Sequence, residues 1–85
     1  TVQGNTAYSN GGDGISVVGA GGFVVGNTLR DNAQFGLRLS GSSAYRENLI
    51  TSNTAGTVST PAPGSFFNLG DNACTNDANL PVACP

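Results

Sequence analysis

An all-β solenoid of about three stacked coils is the fold class that this 85-residue sequence predicts, and three observations carry the prediction. The first is a returning phrase. It reads Val2-Gln3-Gly4-Asn5-Thr6-Ala7-Tyr8-Ser9-Asn10, then Val24-Val25-Gly26-Asn27-Thr28-Leu29-Arg30-Asp31-Asn32, and in worn form Tyr45-Arg46-Glu47-Asn48-Leu49-Ile50-Thr51-Ser52-Asn53. Val2 to Val24 is 22 residues and Val24 to Tyr45 is 21, a period at which each repeat buries its face on the next. The second observation is alternation of apolar and polar residues over short runs, the period of a strand with one face buried. The third is asparagine returning to two fixed slots in every repeat, where a ladder of side-chain amides can form.

Set in register, the repeats give four apolar columns: Val2, Val24, Tyr45; then Ala7, Leu29, Ile50; then Ile15 and Leu37; then Val17 and Leu39. The last two belong to a second shared phrase, Gly14-Ile15-Ser16-Val17 against Gly36-Leu37-Arg38-Leu39. Each repeat therefore predicts a coil of two or three short strands, with equivalent strands about 4.8 Å apart. Glycines and recurring asparagines interrupt every window of helical length. The asparagine columns, Asn5, Asn27, Asn48 and Asn10, Asn32, Asn53, are expected at the bends, because Asn tolerates the left-handed conformation. Gly4 and Gly26 precede one bend, and Glu47 in that slot predicts an altered turn.

The third repeat drifts. Asn53-Thr54-Ala55-Gly56-Thr57-Val58 reads as one residue shorter than its predecessors, which leaves Val58 unplaced. Pro61 and Pro63 break a ladder, and the pair Phe66-Phe67 is expected to plug the end of the stack. Residues 1–59 are read as stacked coils and 60–85 as an irregular C-terminal cap. Cys74 and Cys84, ten positions apart, predict a local disulfide that closes the cap; a metal site is the alternative, but two thiols with no His lack the ligands of a structural zinc. A disulfide implies an oxidising compartment: extracellular, cell surface or periplasm. The chain starts at Thr1 inside the first repeat, so a mature product or a fragment of a longer parent is expected, its first coil covered by upstream coils or by another subunit.

Composition narrows the function classes. A net charge of −2, with only Arg30, Arg38 and Arg46 as basic residues, predicts no nucleic-acid partner. No stretch reaches the roughly 18 apolar residues of a membrane span, and no cofactor is expected. The carboxylates Asp13, Asp31, Glu47, Asp71 and Asp77 share no column, so no catalytic pair is assigned. Arg30-Asp31 and Arg46-Glu47 read as local charge neutralisation, and Asp71 with Asp77 as a weak calcium candidate. Arg38, between inward Leu37 and Leu39, is expected to stand alone in solvent. Phe35 and Arg38 are the candidate surface-contact residues, Phe35 as an exposed ring suited to packing against another chain. Tyr8 is expected outside and Tyr45 inside.

The Gly-Asn-Thr-x-x-x-Asn phrase followed by Gly-Ile-x-Val resembles the right-handed parallel β-helix repeat of the pectin-lyase-like superfamily, over residues 2–59, with the chain corresponding to a C-terminal part. That resemblance implies a right-handed parallel β-helix. It spans lyases, polygalacturonases, epimerases, phage tailspikes and adhesins, so it implies no single activity. The expected function is a non-catalytic structural or binding module of an extracellular or cell-envelope protein, self-assembling as a homo-oligomer or filament through its open first coil. The alternative is the C-terminal remnant of a polysaccharide-active enzyme, lyase or glycosidase, or of a tailspike, with polysaccharide as partner.

Overall fold

Each coil of the repeat closes into three short strands, and the coils stack as parallel layers. The structure is a computed structural model and describes residues 1–60 and 65–85. In the first coil lie β1 (Val2–Gln3), β2 (Thr6–Tyr8) and β3 (Ile15–Val17). In the second lie β4 (Gly22–Val25), β5 (Thr28–Arg30) and β6 (Phe35–Leu39), and in the third β7 (Ser43–Arg46), β8 (Leu49–Thr51) and β9 (Gly56–Ser59). β10 (Phe66–Asn68), β11 (Ala73–Thr75) and β12 (Pro81–Val82) follow. The strands form three sheets, in the orders β1-β4-β7-β10, β12-β11-β8-β5-β2 and β3-β6-β9. Among the described residues every pairing is parallel except β11 with β12.

The register follows the predicted columns. Val2 pairs with Val24 and Val24 with Tyr45; Ala7 pairs with Leu29 and Leu29 with Ile50. Alternate residues face inward, so Val24, Leu29, Leu37, Leu39, Tyr45 and Ile50 form one buried cluster with Val58 and Cys74. Val58 has a definite place: it pairs with Leu37. No residue is lost in that coil, because Asn53 to Val58 spans as many positions as Asn32 to Leu37. The third repeat only looks shorter because its glycine moves one slot earlier, where Gly56 pairs with Phe35. A Cβ on Gly56 would lie 3.0 Å from the Phe35 ring. Phe35 is half-buried over that glycine rather than fully exposed.

Two strands of the segment read as cap continue the stack: β10 pairs with β7 and β11 with β8, both parallel. Only then does the chain reverse, in β12. Phe66 packs beneath the core, but Phe67 points outward and is 57% exposed. Successive residues of a strand face opposite ways, so a Phe-Phe pair in a strand cannot plug the end with both rings. Pro61 and Pro63, read as ladder breakers, lie outside the described residues. Cys74 and Cys84 form a disulfide with their Cα atoms 5.5 Å apart, and Cys84 packs against the core.

Candidate functional site

The most constrained groups in the molecule are the asparagines at two corners of the stack. At the first corner, Asn27 Oδ1 accepts the backbone N–H of Asn5 at 2.8 Å and its side-chain Nδ2 at 3.2 Å. Asn48 Oδ1 does the same for Asn27, at 3.0 and 3.1 Å. At the second corner Asn32 Oδ1 serves Asn10 at 3.2 and 2.9 Å, and Asn53 Oδ1 serves Asn32 at 3.0 and 2.8 Å. Asn27, Asn32, Asn48 and Asn53 are each at most 2% exposed. A buried amide is tolerated only when its donors and acceptors are paired, and here one side chain satisfies backbone and amide of the coil next to it.

The bends themselves are made by other residues. Positive φ belongs to the residue before each asparagine: Gly4, Gly26, Glu47 and Asp71 at the first corner, Ser9, Asp31 and Ser52 at the second. No ladder Asn is among them, which corrects the expectation that asparagine takes the left-handed turn. Its side chain has the opposite duty, pointing along the stack. Glu47 turns at φ 56° where Gly26 turns at 65°, so the turn is kept rather than altered, and the missing glycine costs local strain only.

A further rung escapes the sequence period. Asn72 Oδ1 accepts the backbone N–H and the Nδ2 of Asn48, both at 3.0 Å. The step from Asn48 to Asn72 is 24 residues, so a period of 21–22 passes it by. The available signal was Asp71-Asn72 ahead of a short alternating run, the same pairing as Asp31-Asn32. The glycine of the Gly-Ile-x-Val phrase also finds its reason at the second corner. A Cβ on Gly14 would stand 2.8 Å from Asn32 Nδ2, and one on Gly36 2.6 Å from Asn53 Nδ2.

The two candidate contact residues lie together on the outer side of the third sheet. The Arg38 guanidinium is 5.2 Å from the Phe35 ring centroid. It is not alone in solvent: Nε donates to Asp13 Oδ2 at 2.7 Å and Nη1 to Ser59 Oγ at 3.4 Å, while Phe35 N–H donates to Asp13 Oδ1 at 3.1 Å. One arginine thus ties three coils. Asp13 and Arg38 lie on neighbouring coils but in different columns of the repeat, so no single column contains the pair. The hydrogen bond from Arg38 holds the Asp13 carboxyl below its ordinary pKa, against an opposing effect of burial. The sign follows: the ionised form favours the fold, so this stabilisation is present above the ordinary carboxylate range and is lost as pH falls through the lowered pKa. Asp13→Asn keeps an acceptor for Phe35 and loses the charge. Its urea midpoint is expected to fall below wild type near neutrality, and the gap to close at acid pH; a gap of equal size at all pH values would refute the ion pair's role.

The other arginines also lie against rings. Arg30 pairs with Asp31 at 2.8 Å and stands 4.6 Å from the Tyr8 centroid. Arg46 departs from expectation: among the described residues the ion pairs are Arg30–Asp31 and Arg38–Asp13, and Arg46 lies 5.4 Å from the Phe23 centroid rather than on Glu47. Asp71 serves as a turn residue before Asn72.

The far end is tied by a small network. Tyr45, fully buried, donates its hydroxyl proton to the carbonyl of Pro85, which also accepts Asn68 Nδ2 at 2.9 Å. Burial pushes the Tyr45 phenol up to about 12. Because Cys84 precedes Pro85, the disulfide to β11 fixes where that carbonyl sits. Each sheet has an outermost strand at both ends, β10, β12 and β9 here and β1, β2 and β3 at the first coil. What differs is the apolar layer, because Val2, Ala7, Ile15 and Val17 at the first coil are only partly buried whereas Val58 and Cys74 near this end are buried. Among the described residues no helix is long and apolar enough to cross a membrane. No protein-family model matches the chain, nor does any curated protein or solved structure at a significant level.

Proposed function

We propose that this chain is a non-catalytic structural module of an extracellular or cell-envelope protein, of the right-handed, pectin-lyase-like β-helix type, that joins further β-coils through its first coil and ends the stack at its last. The observation that carries the reading is the difference between the two ends. At one, three sheets stop together with unpaired strand edges and a half-exposed apolar layer, a template for strand addition. At the other, β9 and β10 are edge strands as well, but β12 turns antiparallel over β11, the disulfide closes the tail, and Tyr45 and Asn68 hold the Pro85 carbonyl. The Cys74–Cys84 bridge supports placement in an oxidising compartment. The phrase Gly26-Asn27-Thr28 with its Asn32 partner supports the superfamily assignment.

Light scattering across a tenfold concentration range tests the one-ended geometry. The expected particle is one or two 8.5 kDa chains at every concentration. Filaments that lengthen with concentration would overturn the closed end, and turnover of pectin or alginate by the purified chain would overturn the non-catalytic reading.

A further inference from the structure

The corner hydrogen bonds have a direction, and at the first coil that direction is left unanswered. Throughout the stack, each Oδ1 faces the preceding coil and accepts two donors from its asparagine. Each Nδ2 also donates back to that coil, to the carbonyl three residues before the upper asparagine. Asn27 reaches Val2 O at 2.9 Å, Asn48 reaches Val24 O at 3.0 Å, Asn32 reaches Ala7 O at 3.3 Å, and Asn53 reaches Leu29 O at 3.0 Å.

Asn5 keeps the rest of this pattern. Its Nδ2 donates to the carbonyl two residues earlier, Gln3 O, at 3.1 Å and to Asn27 Oδ1 at 3.2 Å, as Asn27 donates to Val25 O and Asn48 Oδ1. Its amide is therefore oriented like those below it, with Oδ1 toward the open end. Among the described residues neither Asn5 Oδ1 nor Asn10 Oδ1 accepts a hydrogen bond. The open end carries two amide acceptors five residues apart, beside three strand edges and the layer of Val2, Ala7, Ile15 and Val17.

We propose that the first coil is a one-directional receptor: it takes one further parallel β-coil running in the same chain direction, with asparagines five residues apart set above Asn5 and Asn10. Such a coil brings to each Oδ1 a backbone N–H and a carboxamide NH2, and it offers a carbonyl for the lower Nδ2. A second copy of this chain laid on head to head brings Asn5 and Asn10 oxygens of its own against these. Two acceptors facing each other at a closing interface are desolvated without a partner, and that cost opposes the pairing. The inference rests on the one-ended reading above and narrows it to the chemistry and polarity of what the open end accepts.

The chain's own repeat supplies the probe. Phe23 pairs with Ala44 and Val2 with Val24, so a copy of residues 23–43 joined ahead of Thr1 makes one whole coil in register. It carries both corner asparagines. In the extended protein, amide hydrogen exchange read by NMR is expected to slow roughly tenfold or more across the added strands relative to an unstructured chain, with a raised thermal midpoint. Replacing the two asparagines of the added segment by aspartate, which has acceptors only, is expected to abolish that protection while the 85-residue body stays folded. An added segment that remains unprotected, or an aspartate version that docks equally well, overturns the proposal. A symmetric head-to-head pair of the unextended chain also overturns it, yet leaves the one-ended reading standing. Filaments of the unextended chain do the reverse when the added coil still docks.

Discussion

Asn48→Ala is expected to lower stability by about 3–5 kcal/mol, enough to unfold much of the protein at ambient temperature. The side chain makes five hydrogen bonds in the middle of a ladder. Its Oδ1 takes the N–H and Nδ2 of Asn27, and its Nδ2 reaches Val24 O, Arg46 O and Asn72 Oδ1. Truncation strands the Asn27 N–H and part of its amide in a place where Asn27 is 1% exposed, and each buried orphan costs about 1–3 kcal/mol. The alanine also leaves a gap the coils cannot close without losing their spacing. Asn5→Ala is the contrast: the same column, but exposed, with a cost below about 1 kcal/mol. Urea unfolding of both variants measures the difference. Equal midpoints would show that the ladder adds nothing beyond filling space.

Loss of the Cys74–Cys84 bridge is the second large effect. Closing a loop of this length contributes about 3 kcal/mol by chain entropy, and for a domain of this size that corresponds to a fall of about 10–20 °C in Tm. The bridge also holds the Pro85 carbonyl over the buried Tyr45 hydroxyl, so reduction leaves that hydroxyl without its acceptor. A spectroscopic signature separates the two contributions. The folded-state pKa of Tyr45, about 12, lies above the ordinary tyrosine value of about 10. The neutral phenol therefore favours the fold: its stabilisation is whole below about pH 10 and is lost as pH rises toward the folded value. Wild type is expected to weaken over that interval while phenolate absorbance from Tyr45 lags behind that of an unfolded chain. Tyr45→Phe should remove the lag and flatten the stability profile there. A reduced protein that retains both the melting temperature and the late phenolate would refute this account of the closed end.

The legibility of the sequence varied along the chain for reasons that can be named. The coils were readable where one position has one duty. Val2, Val24 and Tyr45 are inward in every layer, and Asn27 and Asn32 return because only a short side-chain amide can accept two donors and still donate along the stack. Arg38 lies on the outward face that its column predicts, but its partner lies outside that column. Its ion pair with Asp13 runs diagonally between layers, and a column-by-column comparison looks straight up and down. Asn72 falls outside the repeat because its step of 24 residues exceeds the 21–22 of the others, and a fixed period cannot follow an insertion. Phe67 departs from the expected plug because composition says only that something must cover the core, while strand alternation decides which ring does so.

By itself the sequence determined the coil, its period, its inward columns and its two corner asparagines, since these are set by contacts repeated at constant separation along the chain. Only the tertiary structure decided which residue makes each bend, where Val58 falls, how Arg38 bridges three layers, and which way the amides point at the open end. Those depend on the stacking axis, where neighbours in space lie more than twenty residues apart. The direction of a hydrogen bond across that gap is a property of two coils together, written in neither repeat alone.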